Sequence, residues 1–508
     1  MLRRVRATVA LAVALGACMG EAPSPETVTT TTTNPRPSEP TAAAATSSTV
    51  VTETTESPRD CTAMPLEGSL PTTANLAAAS VEISRAVYPC ADEVVAVTAD
   101  TLEAGARWSL TNGGVPLVVG SPIGLEALAE IERLGPSVVT VMGPSAGWEG
   151  SWQVRTIDPA VTPPLPLPDA GDVVWLVSPD APGLATVLAP AAVATGVTVM
   201  EAATYDPRQQ EREVRDRLAA ASDVRLAGPF PDATTWQLAV ARNGLELPGG
   251  GQIIFPGRRF VALYGTPYAA GLGALGEQSP VDSLARLAPL VEEYTTDDGT
   301  VMVPTFDLIA TVASAGAGED DNYTTELTVD ELRPWVETAA EHGAYVVLDL
   351  QPGRTDFLTQ ARRYEELLRL PHVGLALDPE WRLGSEQVHL RQTGTVTGAE
   401  INTVIDWLAG IVREEALPQK LVVVHQFKLS MITGREELRT PSELAVVIQM
   451  DGQGPLATKY DTFEAMVAGA DDVGWRWGWK NFYDEDPTPA TAAQVLAVQP
   501  QPVFVSFQ

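Results

Sequence analysis

The chain has 508 residues and carries 33 basic against 65 acidic side chains, which gives a formal net charge of -32. A surface this acidic repels phosphate backbones, so the charge argues against nucleic acid and anionic lipid headgroups as partners. The length allows two or three domains with hydrophobic cores of their own.

The first 18 residues have the pattern of an export signal. Three arginines lie within the first six residues, residues 7–16 are small and apolar, and Ala17-Cys18 follows. The apolar run is too short to cross a bilayer. Small residues followed by Cys18 resemble the lipobox of bacterial lipoproteins. That resemblance implies a signal peptide over 1–17, a lipid on Cys18 and attachment to the outer face of the cell membrane. An ordinary secretory signal with a chance cysteine and an uncleaved anchor are the alternatives.

Residues 18–59 are rich in Thr, Ser, Pro, Ala and Glu, with almost no large apolar side chains. Such a segment cannot bury enough surface to offset its loss of entropy on ordering. The composition therefore predicts a lipidated, disordered tether between the membrane and the folded body.

The chain contains three cysteines: Cys18, Cys61 and Cys90. If Cys18 carries a lipid, Cys61 and Cys90 remain as a pair, and a disulfide between them fits an oxidising compartment. Two unpaired buried thiols are the alternative. Two lone cysteines with no nearby histidine make no metal motif, and we expect neither a metal nor another cofactor.

Strand-like and helical runs alternate through residues 60–257. The predicted strands are 94–97, 116–119, 138–142, 173–177, 197–200 and 224–227. The predicted helices are 124–134 and 210–221, with alanine-rich stretches in the other intervals. Alternation of this kind predicts a parallel sheet. The set repeats after about 80 residues and ends each time in Gly-Pro, which predicts a duplicated Rossmann-like β-α-β-α-β unit.

The stretch from Glu93 to Pro144 resembles the cell-wall-binding repeat type 2 family. It contains the phrases Gly-Val-Pro-Leu-Val-Val, Glu-Arg-Leu-Gly and Val-Val-Thr-Val-Met-Gly in the family's order. The resemblance implies that residues 60–257 associate with anionic wall polymers. A duplicated α/β spacer without a ligand is the alternative.

Residues 258–508 predict eight further β/α units. The predicted strands are 260–264, 301–304, 345–349, 373–378, 420–426, 444–451, 474–480 and 502–507. The predicted helices are 280–294, 329–342, 357–369, 397–415, 459–466 and 489–498, with a poor candidate at 441–443. Eight units in this length favour a (β/α)8 TIM barrel. A doubly wound eight-stranded sheet is the competing fold.

Polar residues arrive where the predicted barrel strands end. In barrels of this kind the site lies at the carboxyl ends of the strands. The strand-end side chains that we expect to converge on substrate are Asp349, Asp378, Glu380, His425, Gln426, Met450, Asp451 and Lys480. Asp307 follows the second strand in the same way.

Asp378 and Glu380 form the sharpest pair. Residues two apart in extended chain point the same way, about 6–7 Å apart. Two carboxylates at that separation in a partly dry cleft tend to titrate apart, so one stays protonated and can act as an acid. Trp381 beside them suits stacking on a sugar. Asp378 before Pro379 is also a good helix or turn start, which is the competing interpretation.

The Asp-x-Glu of strand four and the Gln-Met-Asp of strand six resemble the chitinase-like family 18 glycoside hydrolases. The resemblance implies that Glu380 is the acid and that Asp378 helps a substrate N-acetyl group to act as the nucleophile. It also implies that Met450 and Asp451 line the same subsite. Gly374, Leu375 and Ala376 stand where the family has further acidic residues.

Trp475, Trp477 and Trp479 alternate and so share one face of strand seven. We expect them to pack outward on helices, which would turn Arg476 and Lys480 inward; a sugar platform facing the site is the alternative. The chain shows no glycine-rich phosphate loop, HExxH motif or serine-centred elbow.

Three functions fit these features. The first is a glycan-cleaving enzyme of the cell envelope that uses Glu380, Asp378 and Asp349 on wall or extracellular polysaccharide. The second is a lipoprotein whose barrel holds a glycan without cleaving it. The third is a structural envelope protein with a vestigial barrel.

Overall fold

The computed structural model describes residues 59–120, 122–143, 148–159, 171–470 and 473–508. The predicted signal peptide, Cys18 and almost all of the predicted tether lie outside the described residues. Among the helices that are described, none is long and apolar enough to cross a bilayer.

Two all-parallel sheets occupy the part of the chain that precedes the barrel. The first contains α1 (Leu76–Val87), β1 (Glu93–Val97), α2 (Leu102–Asn112), β2 (Val115–Val118), α3 (Leu125–Leu134), β3 (Val138–Met142) and β4 (Gln153–Ile157). The second contains β5 (Val173–Val177), α4 (Leu184–Thr195), β6 (Thr198–Glu201), α5 (Arg212–Ala220), β7 (Asp223–Ala227) and α6 (Thr234–Asn243). The strand orders are β2-β1-β3-β4 and β6-β5-β7. One apolar core contains side chains from both sheets.

All six predicted strands of this part are present, within one or two residues of the predicted bounds. The sequence analysis missed β4, which pairs in parallel with β3. Most of its side chains are exposed, so it lacks the apolar run that marks a buried strand. It also missed α1 and α6. Cys61 and Cys90 form a disulfide, which confirms the predicted pairing and joins the residues ahead of α1 to those ahead of β1.

Eight parallel strands then close into a barrel. The helices and strands in chain order are β8 (Arg258–Gly265), α7 (Pro280–Glu293), β9 (Val301–Ala313), β10 (Thr324–Glu326), α8 (Val329–Glu341), β11 (Tyr345–Leu350), α9 (Phe357–Ala361), α10 (Glu365–Leu368), β12 (Val373–Leu377), β13 (Val396–Thr397), α11 (Gly398–Glu414), β14 (Lys420–Gln426), β15 (Ile432–Thr433), β16 (Leu444–Met450), α12 (Leu456–Val467), β17 (Arg476–Asn481), α13 (Ala492–Leu496) and β18 (Phe504–Phe507). The barrel closes because β8 pairs in parallel with both β9 and β18. Closure excludes the doubly wound sheet and confirms the predicted TIM-like barrel.

The main differences from the prediction are a longer strand, a divided helix and an absent helix. β9 runs to Ala313 because its far end pairs with the short antiparallel strand β10. The predicted helix 357–369 is divided into α9 and α10 by a tighter turn. The weak helix candidate 441–443 is wrong, since the chain reaches β16 there without a helix.

The interior of the barrel is apolar at its amino-terminal end. Phe260, Tyr345, Leu421 and Phe504 pack there with Leu247 and Ile254 from the segment that enters the barrel. Side chains of a strand alternate between its two faces, so residues two and four places further along share the interior. Polar residues occupy those positions: Tyr264, Asp349 and His425 each lie four places after one of these apolar residues.

Candidate active site

Polar side chains fill the carboxyl-terminal end of the barrel interior. Seven strands or strand ends each contribute one of them: Tyr264 (β8), Asp307 (β9), Asp349 (β11), Asp378 (after β12), His425 (β14), Asp451 (after β16) and Lys480 (β17). All seven side chains are at least nine-tenths buried. Inward-facing positions of different strands therefore meet here, as barrel geometry requires.

His425 lies between two carboxylates. Its Nδ1 donates to Oδ2 of Asp451 at 2.9 Å, and its Nε2 lies 3.9 Å from Oδ1 of Asp349. Burial opposes the charged imidazolium, but the charges of Asp349 and Asp451 outweigh burial and raise the pKa of His425 to about 10. His425 is therefore a fixed positive charge at neutral pH.

Lys480 supplies the second positive charge. Its Nζ lies 3.1 Å from Oδ1 of Asp451 and 3.5 Å from the centre of the Tyr264 ring. Burial alone would raise the pKa of Asp451, yet Lys480 and His425 hold it below its usual value. The Tyr264 hydroxyl donates to Oδ2 of Asp349 at 2.8 Å. Asp451 is thus an ionised carboxylate with both oxygens paired.

Asp307 and Asp378 lack comparable partners. Neither oxygen of Asp307 has a hydrogen bond, and Oδ1 of Asp378 has none. Burial raises the pKa of Asp307 to about 7. Burial and the charge of Glu380 raise the pKa of Asp378 well above its usual value. The site therefore holds more carboxylates than its two cations neutralise, and the excess is accommodated by protonation.

Glu380 lies at the mouth of the barrel, in the 3-10 turn Pro379–Trp381 that follows β12. Its side chain is half-buried. Burial, and next the charge of Asp451, raise its pKa to about 7. Asp378 occupies the N-cap position of this turn but makes no capping hydrogen bond, so the structure does not give it the alternative role of a helix start.

A cavity of about 650 Å³ opens at this end of the barrel. Its polar lining includes Asp378, Glu380, Asp451 and Lys480, and Trp381 lies beside them. Its apolar lining comes from other loops and includes Leu272, Leu390, Phe427 and Phe482. The volume is in the range of pockets that bind small ligands. Asp307, Asp349 and His425 do not line the cavity, so only some of the buried titratable side chains reach it.

The structure does not bring every predicted residue to the cavity. Gln426 is fully buried, and its amide accepts from Arg435 and donates to the backbone carbonyl of Lys428. Met450 packs in the layer between strands and helices. Gln426 directly follows the inward-facing His425, and Met450 directly precedes the inward-facing Asp451. Strand alternation therefore turns both side chains away from the cavity.

The three tryptophans of strand seven pack outward, as predicted. The rings of Trp477 and Trp479 lie 5.9 Å and 6.0 Å from that of Phe463 on α12. Lys480 consequently points inward among the carboxylates. Arg476, on the same face of the strand, is exposed at the strand's start.

Sequence reasoning missed several residues of this site. Tyr264 could have been found, because it continues the inward alternation of Phe260 and Ala262 on β8. Lys459 carried no such signal: from α12 it donates to the backbone carbonyl of Lys480 and pairs with the buried Asp486. These two contacts hold the loop after β17 in place, and Phe482 of that loop lines the cavity.

Asp378, His425 and Asp451 place possible ligand atoms within 4.8 Å of one another, the spacing of a metal site. The donor set does not fit a divalent ion well. His425 has its Nδ1 committed to Asp451, and Lys480 occupies the other Asp451 oxygen. A divalent cation there would have to displace or face two positive charges. The side chains themselves therefore supply the chemistry of the site.

The chain matches no known protein-family model and no curated protein sequence.

Proposed function

We propose that the barrel is a glycoside hydrolase in which Glu380 is the general acid. The observation that carries the proposal is that Glu380 and Asp378 line one cavity at the carboxyl-terminal mouth of a closed (β/α)8 barrel. Glu380 is half-buried among other carboxylates, and its pKa of about 7 keeps a substantial protonated fraction at neutral pH. A carboxylic acid in that state can protonate a leaving-group oxygen.

The remaining residues have roles that follow from their contacts. Glu380 donates its proton to the glycosidic oxygen as the bond to the sugar breaks, and water then bonds to the anomeric carbon and returns a proton to Glu380. Asp378 has an unpartnered buried oxygen for a polar substituent of the sugar, which is the role that the family 18 resemblance implies for an N-acetyl group. Asp451, ionised between Lys480 and His425, acts with them on the pKa of Glu380: Asp451 raises that pKa and the two cations lower it. Asp349 accepts a hydrogen bond from Tyr264 and lies 3.9 Å from His425, so it positions both side chains.

One of the three departures from family 18 in strand four, Gly374, has a local explanation. A Cβ on Gly374 would lie 2.5 Å from the carbonyl oxygen of Leu421 and close to Tyr345, so no larger side chain fits there. Buried carboxylates come from neighbouring strands instead, as Asp307 and Asp349.

A barrel that binds glycan without cleaving it is the second candidate. It is favoured by the pairing of Asp451 with both cations, which removes one carboxylate of the cavity from catalysis. Incubating the purified protein with cell-wall glycan and counting new reducing ends separates the two. Hydrolysis predicts an increase with time, whereas pure binding predicts retention of glycan without new ends.

We further propose that the protein is a lipoprotein of the cell envelope. The support is the sequence of residues 1–18 alone. Mass spectrometry of the mature amino terminus tests it: a diacylated Cys18 is expected, and a Cys18→Ala protein should leave the membrane fraction. An unmodified amino terminus would contradict the proposal.

We also propose that residues 60–257 are two Rossmann-like repeats that attach the protein to wall polymer. The identical orders β2-β1-β3 and β6-β5-β7, all parallel, support duplication. Sedimentation of the full chain with purified walls, before and after the anionic polymers are extracted, tests the attachment. Equal sedimentation with both preparations would contradict it.

A further inference from the structure

A second cavity adjoins the first. It has a volume of about 330 Å³, and Glu380, Trp381 and Leu390 line both cavities. A ligand long enough to occupy both therefore passes over Glu380. In a glycosidase, the sugars on the two sides of the cleaved bond occupy such a pair of positions.

The wall of the second cavity is built from a loop that is held in an unusual conformation. His389 donates from Nε2 to the backbone carbonyl of Tyr323 at 2.9 Å, and its ring lies 5.3 Å from that of Trp381. Leu390 has a φ of 62° and an exposed fraction of 86%. Tyr323 also has a positive φ, of 61°. Left-handed backbone at two such residues costs free energy, and strain of this kind is concentrated at functional sites.

The second cavity carries a cation without a partner. Arg391 is exposed, and its guanidinium makes no hydrogen bond or ion pair with any residue that the structure describes. On the neighbouring side, Lys428 donates to the hydroxyl of Thr393 at 3.1 Å. The one acidic residue in the lining is Glu380. Two cations at this rim stand out on a chain whose net charge is -32.

We propose that the second cavity is a subsite for a sugar that carries a carboxylate, with Arg391 as the residue that recognises it. A guanidinium pairs with a carboxylate through two parallel hydrogen bonds, and Trp381 in the same lining supplies an aromatic contact for the sugar ring. The proposal rests on the proposed glycosidase function. The carboxylate could belong to a hexuronic acid or to the lactyl group of muramic acid, which share this chemistry.

Binding to the full chain in the Glu380→Gln background tests the subsite, since no turnover is then needed. The probes are a neutral chitotetraose, a hyaluronan tetrasaccharide, and a tetrasaccharide of N-acetylglucosamine and N-acetylmuramic acid, the last two also in carboxyl-reduced form. Calorimetry should show one carboxylated probe binding about five- to tenfold more tightly than its reduced form. Whichever acid shows this preference identifies the source of the carboxylate.

The control variants locate the effect. Arg391→Ala should abolish the preference and Arg391→Lys should retain part of it. Arg476→Ala removes an exposed arginine at the opposite end of the barrel and should leave the preference unchanged. Equal affinity for both forms of each acid, survival of the preference in Arg391→Ala, or no binding of any probe would overturn the proposal. Hydrolysis by the protein with Glu380 intact is measured separately, so either proposal can fail alone.

Discussion

The backbone N–H of Gly394 donates a hydrogen bond of 2.7 Å to the carbonyl oxygen of Glu380. A Cβ on Gly394 would lie 2.4 Å from that oxygen and 2.5 Å from the carbonyl oxygen of Pro379. The loop that closes the second cavity is therefore packed directly on the turn that carries the proposed acid. Only glycine permits this approach.

Gly394→Ala should consequently displace the Glu380 turn. Because small displacements of an acid relative to the bond it protonates are costly, we expect kcat of the folded variant to fall by about tenfold or more, together with some loss of stability from the clash. Gly384→Ala is the matched control, since a Cβ there would meet only the Gln387 side chain, at 3.4 Å. Equal kcat values for the two variants would show that the packing on Glu380 has no bearing on catalysis.

The rate of hydrolysis should depend on pH through Glu380. Its pKa is about 7, and only the protonated form can donate a proton. We expect kcat/KM for a neutral oligosaccharide to fall as pH rises through about 7, approaching tenfold per unit above it. A rate that stays level between pH 6 and 9 would argue against an acid with this pKa.

Asp307 should make stability depend on pH. Burial raises its pKa from 3.8 to about 7 on folding, so the folded chain binds this proton more tightly than the unfolded chain. The resulting stabilisation is complete below pH 3.8 and is lost as pH rises through about 7. Asp307→Asn cannot ionise, and we expect its stability relative to wild type to rise over that interval by an amount on the order of 1–3 kcal/mol.

Urea unfolding at pH 4.5 and pH 7.5 measures this difference. Asp232→Asn, at an exposed position, is the control and should change stability by a similar small amount at both pH values. If Asp307→Asn and wild type differed equally at both pH values, the raised pKa of Asp307 would be refuted.

Lys480 and His425 should keep divalent metal ions out of the site. We expect prolonged chelation to leave the hydrolytic rate unchanged and calorimetry with Zn²⁺ to show no binding at the barrel mouth. Lys480→Met frees an oxygen of Asp451 and removes one positive charge, so it should gain affinity for the ion. Loss of activity on chelation of the wild-type protein would contradict this account.

The sequence predicted the strands well because most of them are buried apolar runs. β14 matches its predicted bounds, and β16 and β11 differ from theirs by one residue. β4 has no such run, and the far end of β9 depends on pairing with β10, which the local sequence does not show. The barrel closes through the pairing of β8 with β18, and the local sequence does not show that pairing either.

The site was predicted in part, for a similar reason. Asp349, Asp378, Glu380, His425, Asp451 and Lys480 follow strands whose ends the apolar pattern locates. Gln426 was included as a strand-end residue and Met450 because the family 18 resemblance implies it, but strand alternation turns both away from the cavity. The loop with Leu390 and Arg391 has no periodic pattern, and its place beside Glu380 depends on the contacts of His389 and Gly394.

The most direct test of the proposed function is the rate at which Glu380→Gln releases reducing ends from purified cell-wall glycan. The substitution keeps the size of the side chain and removes its proton-donating acid. Glu386→Gln, the same change at an exposed position in the adjoining loop, is the control. The account predicts that wild type and Glu386→Gln release sugar at equal rates and that Glu380→Gln is slower by at least about a hundredfold. Release by Glu380→Gln at the wild-type rate would contradict it.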